Sequence, residues 1–272
     1  MTRSIDAAAR LARGALPRGS AVGDRLRRWR HALVRRRPTR PIEQVLDVFA
    51  RAHPRASFVQ VGSNDGVRFD PICLQIRTRP WTGIMVEPVP YLFARLEVHY
   101  GDSRRLRLEN SAIADHDGAQ PFYFLAEAPG DDAVPDWYDA LGSFRRDVVL
   151  SHRVDIPDIE DRLRVIDVPC LTFESLCDKH RVDHVDLVHI DTEGYDFEVI
   201  KLIDLDRWQP TVLLFEHKHL SAVDRTACAA HLEANGYELL ADDTDTLCIR
   251  RTTLAAELPL AAAWRAAARA SA

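Results

Sequence analysis

From residue 57 to residue 250 the chain alternates short apolar runs with helical segments, and this alternation limits its fold more than any other feature. Strands are predicted at Phe58–Gly62, Gly83–Glu87, Leu106–Ala114, Asp186–Asp191 and Thr211–Phe215, with helices at 69–78, 90–99, 195–203 and 221–235. Strands separated by crossover helices pair in parallel, with helices covering both faces of the sheet. Two last strands, Tyr237–Leu240 and Thr246–Arg250, flank the acidic turn Asp242 to Asp245 and form an antiparallel closing hairpin. A long insertion separates the third and fourth parallel strands. It holds a strand at Pro121–Leu125, a polar loop over 127–142, a strand at Val165–Cys170 and a helix over 172–180. Connections of this length act as lids or binding loops when they are ordered. The fold class is α/β, a doubly wound Rossmann-like sheet, mostly parallel with an antiparallel closing hairpin.

Charge divides the chain. Residues 1–40 carry twelve Arg and two Asp, a net +10, whereas the remainder carries −15. Within the arm, Val22, Leu26, Trp29 and Leu33 recur at helical spacing among arginines, as in a basic amphipathic helix on an anionic membrane surface. The alternative is a solvated arm or a helix docked on the body, and charge runs usually mean only solubility. Pro38 and Pro41 mark the boundary, and residues 42–52 read as a helix with Ile42, Val45, Leu46 and Phe49 on one face. Three segments result: a basic N-terminal arm (1–40), a folded domain (41–251) and an alanine-rich tail (252–272) expected to be a marginal helix. The acidic body is a poor track for phosphates, which disfavours nucleic acid as a partner. Five cysteines (Cys73, Cys170, Cys177, Cys228, Cys248) contain no C-x-x-C pair and read as buried free thiols. No run approaches the ~20 apolar residues of a membrane span. The expected location is the cytoplasm, with peripheral membrane contact through the arm.

The first strand runs into FVQVGSNDG (58–66), a glycine turn at the carboxyl end of a first strand, where nucleotide-like ligands bind. Gly62 lets backbone approach a ligand, and Gly66 allows the turn into the next helix. Ser63, Asn64 and Asp65 supply polar groups between them. The second strand ends in Glu87, 21 residues after Gly66, where a carboxylate can accept hydrogen bonds from both hydroxyls of a ribose. Asn110, Ser111 and Ala112 fall at the third strand, where an adenine edge would lie. The spacing lacks the third glycine of the dinucleotide fingerprint, which favours S-adenosylmethionine, a cofactor without a pyrophosphate, over NAD.

VGSNDG, VEPVP, NSAIAD and especially HIDTEGYDFEVI (189–200) resemble the FkbM family of S-adenosylmethionine-dependent methyltransferases over roughly residues 42–250. The resemblance implies a class I methyltransferase fold and methyl transfer to a hydroxyl oxygen of a glycan, glycolipid or secondary metabolite. Gln60 stands where many members have Asp, and Asp196 replaces a later Glu.

In such a topology the acceptor lies over the carboxyl ends of the fourth and fifth strands. Asp191 and Glu193 follow the fourth strand, and Glu216, His217, Lys218 and His219 follow the fifth. Asp191 or His217 is expected to be the general base, with Glu193 and Glu216 orienting the acceptor or the base. Asp191 and Glu193 also suit a helix N-terminus near Tyr195, and Lys218 and His219 suit a solvated strand exit. His189 reads as a satisfied buried histidine. A divalent metal on Asp191, Glu216 and one of Asp242 to Asp245 is possible in chemistry but not favoured, because no tight ligand spacing is visible. Trp137, Tyr138, Phe144, Arg145 and Arg146 in the insertion either form an aromatic and cationic acceptor wall or pack beneath a lid. The competing function is a catalytically inactive binding module docked on a membrane or nucleic acid through the basic arm.

Overall fold

The computed structural model describes residues 40–128, 131 and 133–271. The predicted amphipathic arm helix lies outside the described residues. Residues Arg40–Ala272 form one unit. Its elements begin with α1 (Pro41–Ala52), β1 (Ser57–Val61), α2 (Cys73–Thr78), β2 (Thr82–Val86), α3 (Pro90–Tyr100) and β3 (Leu106–Glu109). The insertion contributes β4 (Ala112–Ile113), β5 (Gly118–Leu125), β6 (Gly142–Ser143), α4 (Arg146–Ser151), α5 (Ile159–Arg162), β7 (Leu163–Leu171) and α6 (Phe173–His180). The chain then returns through β8 (Leu187–Ile190), α7 (Asp196–Lys201), α8 (Leu205–Trp208), β9 (Val212–Glu216) and α9 (Ala222–Ala234). It closes with β10 (Tyr237–Ala241), β11 (Asp245–Arg250), α10 (Arg251–Ala256) and α11 (Leu258–Ala270).

The main sheet has seven strands in the order β10-β11-β9-β8-β1-β2-β3. All neighbours from β9 to β3 pair in parallel, and only β11 runs antiparallel to β9 and β10. Every residue of β8 is buried, as expected for a central strand covered on both faces. The second sheet, β4-β7-β5-β6, has four strands and belongs to the insertion.

Three expectations change in detail. The single strand expected at Leu106–Ala114 is two short strands in different sheets. Asn110 causes the break, because its Nδ2 donates to the carbonyls of Glu87 (2.8 Å) and Pro88 (3.2 Å). The helix expected from residue 69 begins only at Cys73, because Phe69 is left-handed (φ 57°) and Asp70 Oδ1 accepts from Ile72 N (2.9 Å) in a turn. The alanine-rich tail is not marginal: α11 buries Leu260, Ala261, Trp264 and Ala267 and packs on α1. Its helix is fixed by that face, since propensity alone rarely stabilises so short a helix. All five cysteines are buried and free.

Candidate active site

Sheet register builds the site. Val61 of β1 lies level with Val86 of β2 and Ile190 of β8, and Ile190 lies level with Phe215 of β9. The next residue on each strand is therefore Gly62, Glu87, Asp191 and Glu216, four residues in a row along the carboxyl edge. Gly62 holds the row together. It is left-handed (φ 81°), and a Cβ built on it would sit 1.7 Å from the Asp191 carbonyl oxygen. Only glycine lets these two turns approach so closely.

A cavity opens over this edge. Gly62, Ser63, Asn64, Glu87, Ser111 and Ala112 line its donor end. Glu87 holds the β1 turn: its Oε2 accepts from Asn64 N and its Oε1 from Val89 N, both at 2.8 Å. Burial pushes the Glu87 carboxyl up to about 7. Ser111 Oγ and Gln60 Oε1 are buried against the cavity without a hydrogen-bond partner. Val86, Val89 and Leu92 give the same end apolar walls. These features fit S-adenosylmethionine: a carboxylate for the ribose, unsatisfied polar atoms for the base and amino-acid ends, and apolar faces for adenine. Asp65, Gly66 and Asn110 do not line the cavity. Asp65 Oδ1 accepts from Val67 N and Arg68 N and shapes the turn, and Gly66 packs under Tyr100 and Leu96. Asn110 is the strand breaker described above.

Asp191 and Glu193 line the other end, and Glu216 joins them, the ligating atoms of all three lying within 4.8 Å of one another. Burial first, then Glu193, raises the Asp191 carboxyl well above its ordinary range; burial and Asp191 do the same to Glu216. Neither Asp191 nor Glu193 caps α7. The helix has no side-chain cap, and Asp196, fully buried, instead ties down the preceding turn, its oxygens accepting from Thr192 N (3.2 Å) and Gly194 N (3.1 Å). The Asp at this position thus does its work over a short span, within its own turn.

Four expectations are corrected here. His217 does not reach the cavity, because its backbone N–H bonds Thr244 O (2.9 Å) and its Nδ1 lies 2.9 Å from Thr246 Oγ1, tying it to the hairpin. His219, expected as a solvated exit, sits in the acid cluster, with Nε2 3.0 Å from Glu193 Oε2 and 3.8 Å from Glu216 Oε2. The turn at Asp242 to Asp245 does not line the cavity and is held by other partners: Asp242 Oδ1 caps the turn, and Arg40 pairs with Asp242 (3.3 Å) and Asp245 (2.8 Å). Of the five insertion residues expected at an acceptor wall, Phe144 alone lines the cavity, beside Phe122, Ala140 and Gly142 of the same insertion. Tyr138 is buried, Trp137 packs on His152, Arg145 pairs with Asp147 and Arg146 is exposed.

Sequence reading missed His152, Asp70 and Phe69. His152 arrives from the insertion, with its ring 5.2 Å from that of His219. Asp70 lines the cavity with its carboxyl raised to about 7 by burial, and Phe69 lines the mouth at 64% exposure. His189 is the buried neutral residue expected: Gln60 Nε2 donates to its Nδ1 at 3.0 Å, and burial lowers it to about 3. A neutral Gln60 suits this place, since an Asp there would add another charge to an acidic, buried wall.

The strand order, read as 3-2-1-4-5-7-6 within the main sheet, and a nucleoside-type pocket at its carboxyl edge define a class I methyltransferase. The family model of the methyltransferase FkbM domain matches residues 60–239. The chain belongs to that family of S-adenosylmethionine-dependent methyltransferases. Among solved structures, it is similar to methyltransferase FkbM from Methylobacillus flagellatus, at 14% identity and a TM-score of 0.45. That likeness covers 72% of this chain and 44% of the other, so the chain spans less than half of that protein's length. An O-methyltransferase from Bacillus cereus in complex with SAH is similar at 9% identity and a TM-score of 0.39, covering 89% and 96% of the two chains. Likenesses of this depth decide nothing about the site. A search of curated protein sequences finds no match.

Proposed function

We propose that this methyltransferase transfers the methyl group to a hydroxyl oxygen of a glycan, glycolipid or secondary metabolite. The observation that carries the reading is a cavity lined both by the nucleoside-type cradle at Gly62 and Glu87 and by Asp191 and Glu193, with Glu216 and His219 clustered beside Glu193. S-adenosylmethionine, when bound, supplies an electrophilic methyl group on a cationic sulfonium. Asp70, Glu87, Asp191 and Glu193 line the walls with carboxyl groups, and a cation bound among them would favour their ionised form. Gly62, Ser63 and Glu87 orient the donor, and positioning supplies most of what an in-line displacement needs.

A hydroxyl also needs a group to take its proton. Asp191 lines the cavity and is placed for this, with Glu193 close beside it. Phe69 and Phe144 offer aromatic faces at the mouth, which suit the apolar face of a sugar ring. Arg68 and Arg95 hold Asp139 of the insertion at 2.9 and 2.5 Å, tying the insertion to the rim beside Arg68. The basic arm is the segment proposed for peripheral contact with anionic membrane, and no described helix is long and apolar enough to cross one.

The test is methyl-label transfer from S-adenosylmethionine into fractionated cell glycans, lipids and small metabolites, with a chain beginning at Arg40 as comparison. Label in an acid- and base-stable methyl ether is expected, with lipid-linked labelling reduced for the shortened chain. Label on nitrogen, carbon or an ester, or in none of these fractions, would overturn the reading.

A further inference from the structure

Outside the donor cradle, the cluster around Glu193 has a property that proton transfer does not require. Its three carboxylates come from two strand ends and one turn, and among the described residues no Lys or Arg forms an ion pair with any of them. Only His219 comes within ion-pair distance. Buried like charges this close repel strongly, so the group must either hold protons or share a cation.

Two oxygens are unsatisfied. Glu193 Oε2 and Glu216 Oε2 are buried without a hydrogen-bond partner, and Glu193 as a whole is only 9% exposed. His219 Nε2 is close to both, yet its approach to Glu193 Oε2 at 3.0 Å lacks hydrogen-bond alignment. That is how two ligands of one ion are arranged: each aims its lone pair at a point between them. Ligands about 2.0–2.2 Å from an ion stand about 3 Å apart at a right angle and somewhat farther at wider angles. The 3.0 and 3.8 Å separations fall in that range. The backbone presents Glu193 for this: Ser143 Oγ of the insertion donates to the Glu193 carbonyl (2.8 Å), and Asp196 fixes the N–H groups on either side.

We propose that Asp191, Glu193 and Glu216, with His219 beside the two glutamates, bind one divalent cation next to the cavity. His152 groups with Glu193 and His219 and not with Asp191 and Glu216. Three oxygens and an imidazole nitrogen suit Mn²⁺ or a similar first-row ion. The hairpin acids, bound to Arg40, take no part. The cation's role rests on the methyl-transfer reading: coordinated to the acceptor oxygen, it would lower the hydroxyl's pKa beside the donor. Binding itself does not rest on that reading, so the test uses no donor or acceptor.

The full chain is stripped with a chelator and titrated with Mn²⁺, with free Mn²⁺ read by electron paramagnetic resonance and melting followed in parallel. One Mn²⁺ per chain is expected, with a rise in melting temperature. Glu193→Gln and Glu216→Gln should each weaken binding at least tenfold, whereas Asp242→Asn should leave it within twofold. Glu216→Gln should also melt higher than the metal-free wild type, because it relieves repulsion, and that gain separates a lost ligand from a lost fold. The proposal is overturned by absence of Mn²⁺ binding to the wild type. It is equally overturned by unchanged binding in both glutamine variants, or by Glu216→Gln melting lower than the metal-free wild type.

Discussion

Replacing Glu87 by glutamine separates the two jobs assigned to that carboxylate. In the folded protein each oxygen accepts one buried backbone N–H, from Asn64 and Val89. A glutamine can accept at only one of these places, so the other N–H faces an amide donor, at a cost of about 1–3 kcal/mol. Ionisation acts in the opposite direction. Burial raises the carboxyl from an ordinary 4.5 to about 7. Between these values the native state holds the proton and the unfolded state has released it, so stability falls as pH rises from about 4.5 to about 7. Integrated from pH 5 to pH 8, the loss for this one group is about 2.5 kcal/mol. Glutamine removes that loss. In urea denaturation without ligand, the stability advantage of wild type over Glu87→Gln should therefore shrink by about 2.5 kcal/mol between pH 5 and pH 8. An advantage that stays constant to within about 0.5 kcal/mol, near the resolution of such extrapolations, would refute the reasoning, because Glu87 would then titrate as an exposed acid.

Gly62→Ala forces a left-handed alanine, worth about 1–2 kcal/mol, and drives its Cβ into the Asp191 carbonyl. A marked drop in melting temperature and loss of S-adenosylmethionine binding by calorimetry are expected. Asp191→Asn should lower the turnover number by about 10²–10⁴ in steady-state assays, the usual contribution of acid–base groups. His217→Ala should keep turnover within a few-fold and lose about 1 kcal/mol of stability, the hairpin hydrogen bond to Thr246. Asp139→Ala frees Arg68 and Arg95 and should raise the KM for S-adenosylmethionine several-fold with little change in melting temperature.

The sheet was legible because each central strand is an apolar run with a polar end, and those ends, at Gly62, Glu87 and Asp191, fall in one row by parallel register alone. Glu216 followed by the same logic. The failures lie where side chains leave that register. Asn110 breaks a strand through a bond to a distant carbonyl, which no local pattern announces. His217 and His219 lie two residues apart in one loop, and only the hairpin bonds of His217 decide which imidazole turns inward. His152 comes from the insertion and reaches the cluster through packing. Asp242 and Asp245 looked like site acids by position, but Arg40, far away in sequence, neutralises them. The tail helix was undervalued because its stability comes from the face it shares with α1, not from its alanines.

The most direct test of the account is calorimetric titration of S-adenosylmethionine into the full chain and into Glu87→Gln at pH 7.5. The account predicts one site per chain in the wild type and at least tenfold weaker binding in the variant, because the ribose loses its ionised acceptor. No binding to a folded wild type, or equal affinity in the two proteins, would contradict the placement of the donor at Gly62 and Glu87.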